Sequence, residues 1–503
     1  MSARRAYLAI DAGTGGGKCV IFDGEGQRLG SHRQPWTYHV TTHPAMPLVK
    51  EFEFDANEFW GILAHCVGAA LHQAGLDAAD IAGVATTSQR EGCVFLNAAG
   101  REIYAGPNID SRAFAEGIEI LSELGPERLH QITGHSAPFI FPIARFLWHR
   151  KKRPEPVAQL LMINDWLTYR LCGARTAEPS NATESMLFDL RQRTWSSELL
   201  QKFDIPADIL PPLLSPGARV GGVSPEAAQA TGLAPGTPVF VGGADTQCSL
   251  LGAGVTEPGQ VGATLGTTTP VQMVVDAPTF DPECNLWAGC HVVPGRWVIE
   301  SNAGDTGDAY LWLLRLIGGD RELESLFELA EELSQADMLP ASHAYIGPAI
   351  FNMSKVRTDR PGGFLFPYPL LHLRPDRGDL FRAFLDSIGY AVRGNCEQIA
   401  RVTGVRPARF TLSGGLSRSR GLVQRIANIL GIPVLAAEEP ESAALGCAIL
   451  TAAGAGDVRD LAAAAAAMVR TREIDPEPGA HERYAESYAK WRELNDKLEE
   501  MSI

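Results

Sequence analysis

The chain has 503 residues, of which 45% are hydrophobic and 20% charged, and its formal net charge is −15. A chain of this length exceeds what one hydrophobic core usually serves, so we expect two domains. The excess of 59 acidic over 44 basic residues argues against binding to nucleic acid and against attraction to anionic membranes. The composition therefore predicts a globular protein whose partners are small molecules.

The nine cysteines form no C-x-x-C pair and no zinc-binding pattern with histidine. This usage is typical of a reduced protein with inert thiols, and we expect no disulfides. The N-terminus lacks the apolar run of a signal peptide, and no long uninterrupted apolar stretch follows. We therefore predict a cytoplasmic protein without a membrane span.

Short apolar runs and glycine-rich turns open the chain. Residues 7–10 and 19–22 predict two strands joined by a glycine-rich turn. Helical periodicity over 59–75 is followed by apolar strands at 81–85 and 93–96. Because strands alternate with helices, the fold class is α/β.

The middle of the chain is dominated by helices and loops from residue 116 to about 232. Within it, the apolar run 160–163 is too short to assign to a strand or a helix. A buried strand over 237–243 then leads to Asp245. The small, glycine-rich region 250–260 is the predicted domain boundary.

The second half repeats the first in outline, which suggests an internal duplication. We predict an N-terminal domain, 1–253, and a C-terminal domain, 254–503. The predicted elements of the second half are strands at 260–265, 270–275, 409–413 and 432–437 and helices at 420–430, 442–453, 462–467 and 484–501.

A glycine-rich turn that includes Gly13 and Thr14 follows the first strand. Glycines let backbone N–H groups approach an anion closely, and Thr14 and Lys18 add a hydroxyl donor and a point charge for phosphates. Asp11, at the strand's end, is a candidate Mg²⁺ ligand through water. The turn is not a Walker A loop, because Cys19 stands where a magnesium-binding Ser or Thr would be. A glycine-rich hairpin without a ligand, with Asp11 as a turn former, is the alternative.

Two later turns are also candidates for ligand binding. Gly266 and Thr267 lie between apolar segments and offer further N–H and hydroxyl donors. Gly414 and Gly415 follow the strand 409–413 and could admit a nucleobase or ribose against the backbone. A threonine-rich hairpin and tight packing are the respective alternatives.

Asp245, Arg90 and Glu91 are candidates for chemistry on an acceptor. Asp245 should emerge at the carboxyl edge of a sheet, where α/β proteins place ligands, and a carboxylate there can accept a hydroxyl proton during phosphoryl transfer. Arg90 and Glu91 present a donor fork beside an acceptor pair, which suits vicinal hydroxyls if the backbone there is a loop. An Asx-turn at Asp245 and an exposed Arg90–Glu91 ion pair are the alternatives.

In order and spacing, these motifs resemble those of the FGGY carbohydrate kinases, a branch of the actin and hexokinase ATPase fold. The resemblance implies two lobes with ribonuclease H-like domains and an active site in the interdomain cleft. It implies ATP on phosphate loops at 13–18 and 266–268, adenosine near Gly304, Gly414 and Gly415, and Asp245 as the base that activates the sugar hydroxyl. The motifs that carry it are Asp11-Ala12-Gly13-Thr14, Asp165-Trp166-Leu167, Pro179-Ser180-Asn181-Ala182, Gly414-Gly415 and Glu441-Ser442-Ala443-Ala444-Leu445-Gly446.

The segment around Arg90 and Glu91 indicates which subfamily the chain resembles most. Xylulose kinases have Gly-Gln-Met-His-Gly where this chain has Ser88-Gln89-Arg90-Glu91-Gly92. Glycerol kinases have a threonine in place of Gly92. With Asn108-Ile109-Asp110-Ser111-Arg112 and Asn164-Asp165-Trp166-Leu167, this segment is most similar to autoinducer-2 kinases, which phosphorylate a linear five-carbon dihydroxydione. Thr267-Thr268-Thr269 and residues 302–306 match no subfamily pattern.

These inferences predict an ATP- and Mg²⁺-dependent kinase for a terminal hydroxyl of a small open-chain ketose or polyol, of autoinducer-2 type. Arg90, Glu91 and Thr246 would orient the acceptor, and Asp245 would take its proton. The alternatives are a xylulose or other pentulose or polyol kinase and, from a different class, a non-kinase ATP-binding module of the same fold. The sequence leaves open the sugar, the phosphorylated carbon and whether the chain forms a homodimer.

Overall fold

A computed structural model describes residues 5–43, 46–334, 342–354, 360–366 and 375–501. Its strands are β1 (Ala6–Gly13), β2 (Gly16–Phe22), β3 (Arg28–Pro35), β4 (His39–His43), β5 (Met46–Glu53), β6 (Ile81–Ser88), β7 (Cys93–Leu96), β8 (Glu102–Gly106), β9 (Gln159–Met162), β10 (Phe188–Asp189), β11 (Thr194–Trp195), β12 (Arg219–Gly222), β13 (Pro238–Ala244), β14 (Val261–Thr264), β15 (Thr268–Val275), β16 (Trp287–Cys290), β17 (Trp297–Asp305), β18 (His343–Ala344), β19 (Phe364–Leu365), β20 (Phe410–Ser413), β21 (Val434–Ala437) and β22 (Thr471–Ile474). Its helices are α1 (Ala56–Ala74), α2 (Phe114–Leu124), α3 (Pro126–Thr133), α4 (Pro142–Lys152), α5 (Ile163–Cys172), α6 (Pro179–Thr183), α7 (Ser197–Lys202), α8 (Pro225–Thr231), α9 (Asp245–Gly252), α10 (Gly307–Gly318), α11 (Leu323–Ser334), α12 (Arg377–Thr403), α13 (Arg420–Leu430), α14 (Ser442–Gly454), α15 (Leu461–Met468) and α16 (Ala480–Glu500).

The chain folds as two compact units, each assembled from separate stretches of sequence. The first unit comprises Met1–Thr256, Val275–Val298 and Glu441–Val469, and the second comprises Glu257–Val274, Ile299–Pro440 and Arg470–Ile503. The division into functional domains at residue 253 stays a prediction.

Helix α14 differs from its expected place. The sequence analysis places it among the elements of the second half, but it belongs to the first unit and packs against α9, β1 and β6. The reason is its small, apolar surface: a Cβ on Gly446 would lie 2.1 Å from the Cys248 carbonyl oxygen, so only glycine permits this close approach to α9.

The first unit is built on a sheet with strand order β12-β13-β6-β1-β2-β3. Strands β1, β6 and β13 run parallel, whereas β1, β2 and β3 form an antiparallel meander. Side chains alternate between the faces of a strand, so Leu8 and Ile10 join a core with α1, whereas Tyr7 and Ala9 join a core with α14. Both faces are therefore covered, and the predicted α/β class is confirmed.

Helix α1 shows why the local signals were readable. The Asp55 carboxylate caps its N-terminus by accepting from the backbone N–H groups of Asn57 and Glu58. Gly75 ends it with a φ of 62°, in the left-handed region that favours glycine. Between these signals, buried positions recur with helical periodicity, as the sequence predicts.

The ambiguous run at 160–163 is divided between two elements. It lies mostly in β9, which pairs antiparallel with β7 in a sheet of order β8-β7-β9, and α5 begins at Ile163. Periodicity could not decide this assignment, because the strand is stabilised by pairing with a segment more than sixty residues away.

The second unit carries a sheet in which the strands follow the order β17-β15-β14-β20-β21-β22. Strand β14 pairs antiparallel with β15 and parallel with β20, just as β1 pairs antiparallel with β2 and parallel with β6. The two sheets therefore share this pattern of strand pairing. Helix α12 begins at an Asp376–Asp379 capping box and packs against α13.

All nine cysteines lie among the described residues and are free. Burial raises the pKa of the Cys19 and Cys93 thiols, which disfavours the reactive thiolate. Across the described part of the chain, the helices are too short or too polar to span a bilayer.

Candidate active site

The parallel strands of the first unit end at one edge of their sheet. Ala12 of β1 and Ala244 of β13 both pair with Ser88 of β6, so the residues around these positions emerge at the same level. This is the carboxyl edge at which α/β proteins place ligands. The strand-edge cluster, as we call it, consists of Asp11, Arg90, Glu91 and Asp245.

Asp245 is the first residue of α9 and follows β13 directly. Two glycines before it allow the strand to lie close to its neighbours. A Cβ on Gly242 would lie 1.8 Å from the Thr86 carbonyl oxygen, and one on Gly243 would lie 2.4 Å from Val292 Cγ1. The tight packing of β13 therefore determines where the Asp245 carboxylate emerges.

The environment of Asp245 sets its acidity. Its Oδ1 accepts a 2.7 Å hydrogen bond from the backbone N–H of Thr246, whose hydroxyl donates to Gln247 Oε1 at 2.7 Å. Burial raises the pKa of Asp245 to about 7, with the Arg90 guanidinium opposing the shift and the Asp11 carboxylate adding to it. A carboxylate with a pKa near neutrality is suited to act as a general base.

A buried acid holds the backbone just before Asp245. The backbone N–H of Ala244 donates to Ser180 Oγ at 3.0 Å, and the Ser180 hydroxyl donates to the Glu178 carboxylate. Burial raises the pKa of Glu178 to about 7, against the hydrogen bonds from Ser180 and Asn181. The sequence analysis did not single out Glu178.

Arg90 and Glu91 lie in a loop, which is the condition for both side chains to reach one ligand. Glu91 has a φ of 57°, and a Cβ on Gly92 would lie 2.5 Å from Ile163 Cδ1, so the chain turns sharply here. Arg90 Nε consequently lies 3.9 Å from Glu91 Oε1, and both side chains are about nine-tenths buried. The structure therefore does not show the exposed ion pair of the alternative interpretation.

Further residues that the sequence analysis missed surround Arg90. Its Nη1 donates to Glu184 Oε1 at 3.4 Å, and its guanidinium lies 5.7 Å from the centre of the Trp287 ring. Glu184 Oε2 in turn lies 3.3 Å from His135 Nε2. No spacing signal could have found these partners, because Glu184 is 94 residues from Arg90 and the contacts arise only on folding.

The β1–β2 hairpin places Asp11 opposite Lys18. Lys18 Nζ lies 3.1 Å from Asp11 Oδ2 and also contacts the Glu441 carboxylate. Burial lowers the pKa of Lys18, but the Asp11 and Glu441 carboxylates outweigh it and the net shift is upward, so the ammonium is charged. Burial raises the pKa of Asp11 against the effect of Lys18, and Asp11 Oδ1 has no hydrogen-bond partner among the described residues.

The hairpin turn itself leaves room for a ligand. A Cβ on Gly13 would meet its nearest neighbour at 3.6 Å, and one on Gly15 would meet nothing within 4 Å. The Thr14 hydroxyl donates to Asn108 Oδ1 at 3.2 Å, and the Thr14 carbonyl accepts a 3.1 Å bond from the Trp36 indole. These hydrogen bonds hold the turn at Thr14, whereas space is left beside the backbone at Gly13 and Gly15.

In the second unit, the predicted glycine and threonine turns come together. We name Gly266, Thr267, Thr306, Gly307 and Gly414 the turn cluster. The backbone N–H of Thr306 donates to the Thr267 carbonyl at 3.0 Å, and that of Gly307 donates to the Gly266 carbonyl at 3.0 Å.

Gly414 completes the turn cluster from another strand. Its φ is 87°, and a Cβ there would lie 2.6 Å from the Leu265 carbonyl oxygen, whereas one on Gly415 would meet nothing within 4 Å. Gly414 therefore has a packing role, and Gly415 leaves open space. Gly304, with a φ of 81°, lies two residues before Thr306.

A cavity of about 420 Å³ lies in the second unit next to Gly304. This volume is in the range of small-molecule pockets. Its described lining includes Asp305, Trp312, Tyr345 and Phe351 but neither Gly414 nor Gly415. The structure thus brings Gly266, Thr267 and Gly414 together and places Gly304 beside a separate cavity.

Comparison with known proteins agrees with these observations. Residues 6–252 match the N-terminal domain of the FGGY family of carbohydrate kinases, and residues 261–455 match its C-terminal domain. An autoinducer-2 kinase of Escherichia coli (strain K12) is 35% identical, over 98% of this chain and 94% of its own length. An autoinducer-2 kinase of Enterobacter sp. (strain 638) is 33% identical, over 96% of this chain and 93% of its own length.

Solved structures show the same fold. A xylulose kinase from Rhodospirillum rubrum superposes with a TM-score of 0.83 at 25% identity, covering 98% of this chain and 99% of its own. A Plasmodium falciparum glycerol kinase with ADP gives a TM-score of 0.83 at 16% identity, covering 98% of each chain. These neighbours have the actin and hexokinase-like ATPase fold, as predicted. The chain belongs to the FGGY family of carbohydrate kinases and is a sugar kinase with ATP as its co-substrate.

Proposed function

We propose that this kinase transfers the γ-phosphoryl group of ATP to a terminal hydroxyl of a small open-chain ketose or polyol, with Asp245 as the base. The observation that carries the proposal is a carboxylate with a pKa of about 7 at the carboxyl edge of the sheet, beside a buried arginine and glutamate. A nucleotide-binding module without an acceptor needs no such arrangement.

The acceptor would bind between the donors of Arg90 and the acceptors of Glu91. An arginine presents several N–H groups in one plane and a carboxylate offers two acceptor oxygens, so together they match neighbouring hydroxyls. Glu184 and Trp287 hold the guanidinium in place, and Thr246 lies beside the base. The reacting hydroxyl would then face Asp245, which takes its proton as the bond to phosphorus forms.

We further propose an acceptor of the autoinducer-2 type. The relatives that are 33–35% identical over nearly the whole chain carry that name. The xylulose and glycerol kinases are 25% and 16% identical, and they support the fold but not the choice of sugar. The Arg90–Glu91–Gly92 sequence favours the same conclusion.

Each unit by itself offers groups suited to bind phosphate. In the first unit these are the N–H groups of the Gly13 turn, the Thr14 hydroxyl and the Lys18 ammonium. In the second they are the N–H and hydroxyl groups of Thr267, because the Gly266 N–H already donates to the Thr264 and Thr268 carbonyls. Donors fixed before the reaction stabilise the charge on a transferring phosphoryl group. Gly304, Gly414 and Gly415 are proposed for the adenosine.

The residues present fit a Mg²⁺ ion. Asp11 Oδ1 is a buried carboxylate oxygen without a hydrogen-bond partner among the described residues. Those residues contain no group of three or more His, Cys, Asp or Glu side chains arranged for a metal. Mg²⁺ usually keeps several waters and binds one or two carboxylates plus substrate phosphates, so a single Asp11 suffices. When bound, the ion would neutralise phosphate charge.

The test is a screen for acceptor-dependent ADP release with the autoinducer-2 precursor, xylulose, ribulose, erythritol and glycerol. The wild-type protein should turn over with the autoinducer-2 precursor at the highest kcat/KM, and the Asp245→Asn variant should lose that turnover. ADP release that needs no sugar and survives the Asp245→Asn substitution would exclude the proposed function.

A cytoplasmic location and a homodimeric state belong to the same proposal. The free cysteines, eight of which are buried, support a reducing compartment. Cell fractionation tests the location, and light scattering of the purified protein tests the assembly.

A further inference from the structure

A buried histidine lies behind the proposed acceptor site. His135 follows α3, and its imidazole is fully buried, with ring centres 5.0 Å from Phe141 and 4.8 Å from Trp287. The segment is fixed by the preceding residue: a Cβ on Gly134 would lie 2.0 Å from the Ala288 carbonyl oxygen. The ring therefore has little freedom to turn away from its partners.

Both ring nitrogens of His135 face oxygen acceptors. Nδ1 lies 3.1 Å from the Thr133 carbonyl oxygen, and Nε2 lies 3.3 Å from Glu184 Oε2. The imidazole therefore lies between a backbone carbonyl at the end of α3 and the Glu184 carboxylate.

Charged groups connect His135 to the proposed acceptor site. The titratable groups nearby are Glu184 and, beyond it, Arg90 and Glu91, together with His130 of α3. Burial raises the pKa of Glu184, but Arg90 and then His135 outweigh it and the pKa is lowered, so Glu184 is a carboxylate. Glu184 thus lies between Arg90 and His135, with one oxygen toward each.

We propose that His135 is a positioning residue for the acceptor. Its Nε2 holds the Glu184 carboxylate in place, and through Glu184 it fixes the Arg90 guanidinium that would bind the acceptor's hydroxyls. This inference rests on the proposed function, because it takes Arg90 to be an acceptor ligand. Without the contact from His135, the Glu184 carboxylate would no longer hold Arg90 in one orientation.

The experiment compares His135→Phe, which keeps an aromatic ring, with His135→Gln, whose amide can still donate to Glu184. We expect His135→Phe to raise the KM for the acceptor about tenfold, the typical effect of a lost charge-assisted hydrogen bond. The KM for ATP should stay within twofold of wild type, and His135→Gln should recover most of the loss. His149→Phe is the matched control, because His149 is also buried against aromatic rings but contacts Phe95 and Tyr104 instead.

Rescue by His135→Gln separates positioning from packing, because the amide restores a donor toward Glu184 but not the shape of the ring. Equal acceptor KM values for the wild type and both variants would overturn the inference, and so would a His135→Gln variant whose KM is raised as much as that of His135→Phe. If His135→Phe does not fold, His135→Leu, which also lacks a donor, replaces it in the comparison.

The Arg90→Lys variant distinguishes a failure of this inference from a failure of the proposed function. Lysine keeps the charge but loses the planar fork, so this variant should raise the KM for the acceptor. If Arg90→Lys raises that KM and the His135 variants do not, the inference about His135 fails and the proposed function stands. If Arg90→Lys leaves the KM unchanged, the proposed acceptor site itself is wrong.

Discussion

The strand-edge cluster of the first unit and the turn cluster of the second consist of different chemical groups. The strand-edge cluster consists of charged side chains, and burial raises the pKa of Asp245 and of Asp11. The turn cluster is held by backbone hydrogen bonds and by glycines that approach carbonyl groups closely. The first arrangement is suited to moving a proton and orienting hydroxyls. The second contains no ionisable side chain, so the two clusters should respond to different perturbations.

Replacing the base should have the largest effect. Asp245→Asn keeps the shape of the side chain but removes the proton acceptor, and we expect kcat to fall by about 10²- to 10⁴-fold. Steady-state ADP release with saturating acceptor measures it. Asp208→Asn is the control, because Asp208 is exposed. An Asp245→Asn variant with wild-type kcat would mean that the strand-edge cluster does not provide the base.

Adjacent glycines test the turn cluster. Gly414→Ala places a Cβ 2.6 Å from the Leu265 carbonyl oxygen at a φ of 87°, and it should cost about 1–3 kcal/mol of stability and raise the KM for ATP. Gly415→Ala enters open space and should leave the unfolding transition unchanged. Denaturant unfolding and ATP kinetics measure both variants.

The result for Gly415→Ala carries the sharper information. A raised KM for ATP with an unchanged unfolding transition would indicate that the nucleotide approaches the backbone at Gly415. If the KM for ATP and the unfolding transition of Gly415→Ala both stay unchanged, Gly415 has no role in binding ATP, and only the packing of Gly414 matters.

A hydroxyl in the first unit should contribute less. Thr14→Val removes the donor that now bonds Asn108 and keeps the shape, so we expect the KM for ATP to rise about threefold. Thr14→Ser retains the hydroxyl and should stay close to wild type. Titration of ATP in the kinetic assay measures the difference, and equal KM values for Val and Ser variants would remove Thr14 from the phosphate site.

The smallest predicted effect is on stability and depends on pH. The pKa of Asp245 is about 7 in the folded protein and about 4 for an unfolded aspartate. The folded state therefore binds more protons between these values, and its stability falls as the pH rises from about 4 to about 7.

Asp245→Asn removes this penalty. Relative to the wild type, the variant should gain about 2–4 °C in Tm at pH 8 and little at pH 4. Thermal unfolding at the two pH values measures the gain. The same ionisation predicts that wild-type kcat is half-maximal near pH 7 and rises on the alkaline side. A larger gain in Tm at pH 4 than at pH 8 would contradict the assigned pKa.

The elements that the sequence predicted well are those with local signals. Helix α1 is bounded by Asp55 and Gly75, and the hairpin from β1 to β2 is bounded by its glycines, so neighbouring residues carry the information. The placement of Asp245 after a buried strand and two glycines was likewise readable from a short segment. Strand β9 was not, because its partner β7 lies far away in the chain.

By itself, the sequence determined the α/β class, the order of the strands and helices around each turn, and the family. It also determined which residue types stand where chemistry is expected, among them Asp11, Arg90, Glu91 and Asp245. Only the tertiary structure decided that α14 joins the first unit, that Lys18 lies between Asp11 and Glu441, and that Glu184 and His135 stand behind Arg90. The physical reason is the range over which each effect acts. Helical periodicity and capping act between residues that are close in the sequence. Desolvation and charge pairing depend on which distant segments are buried together.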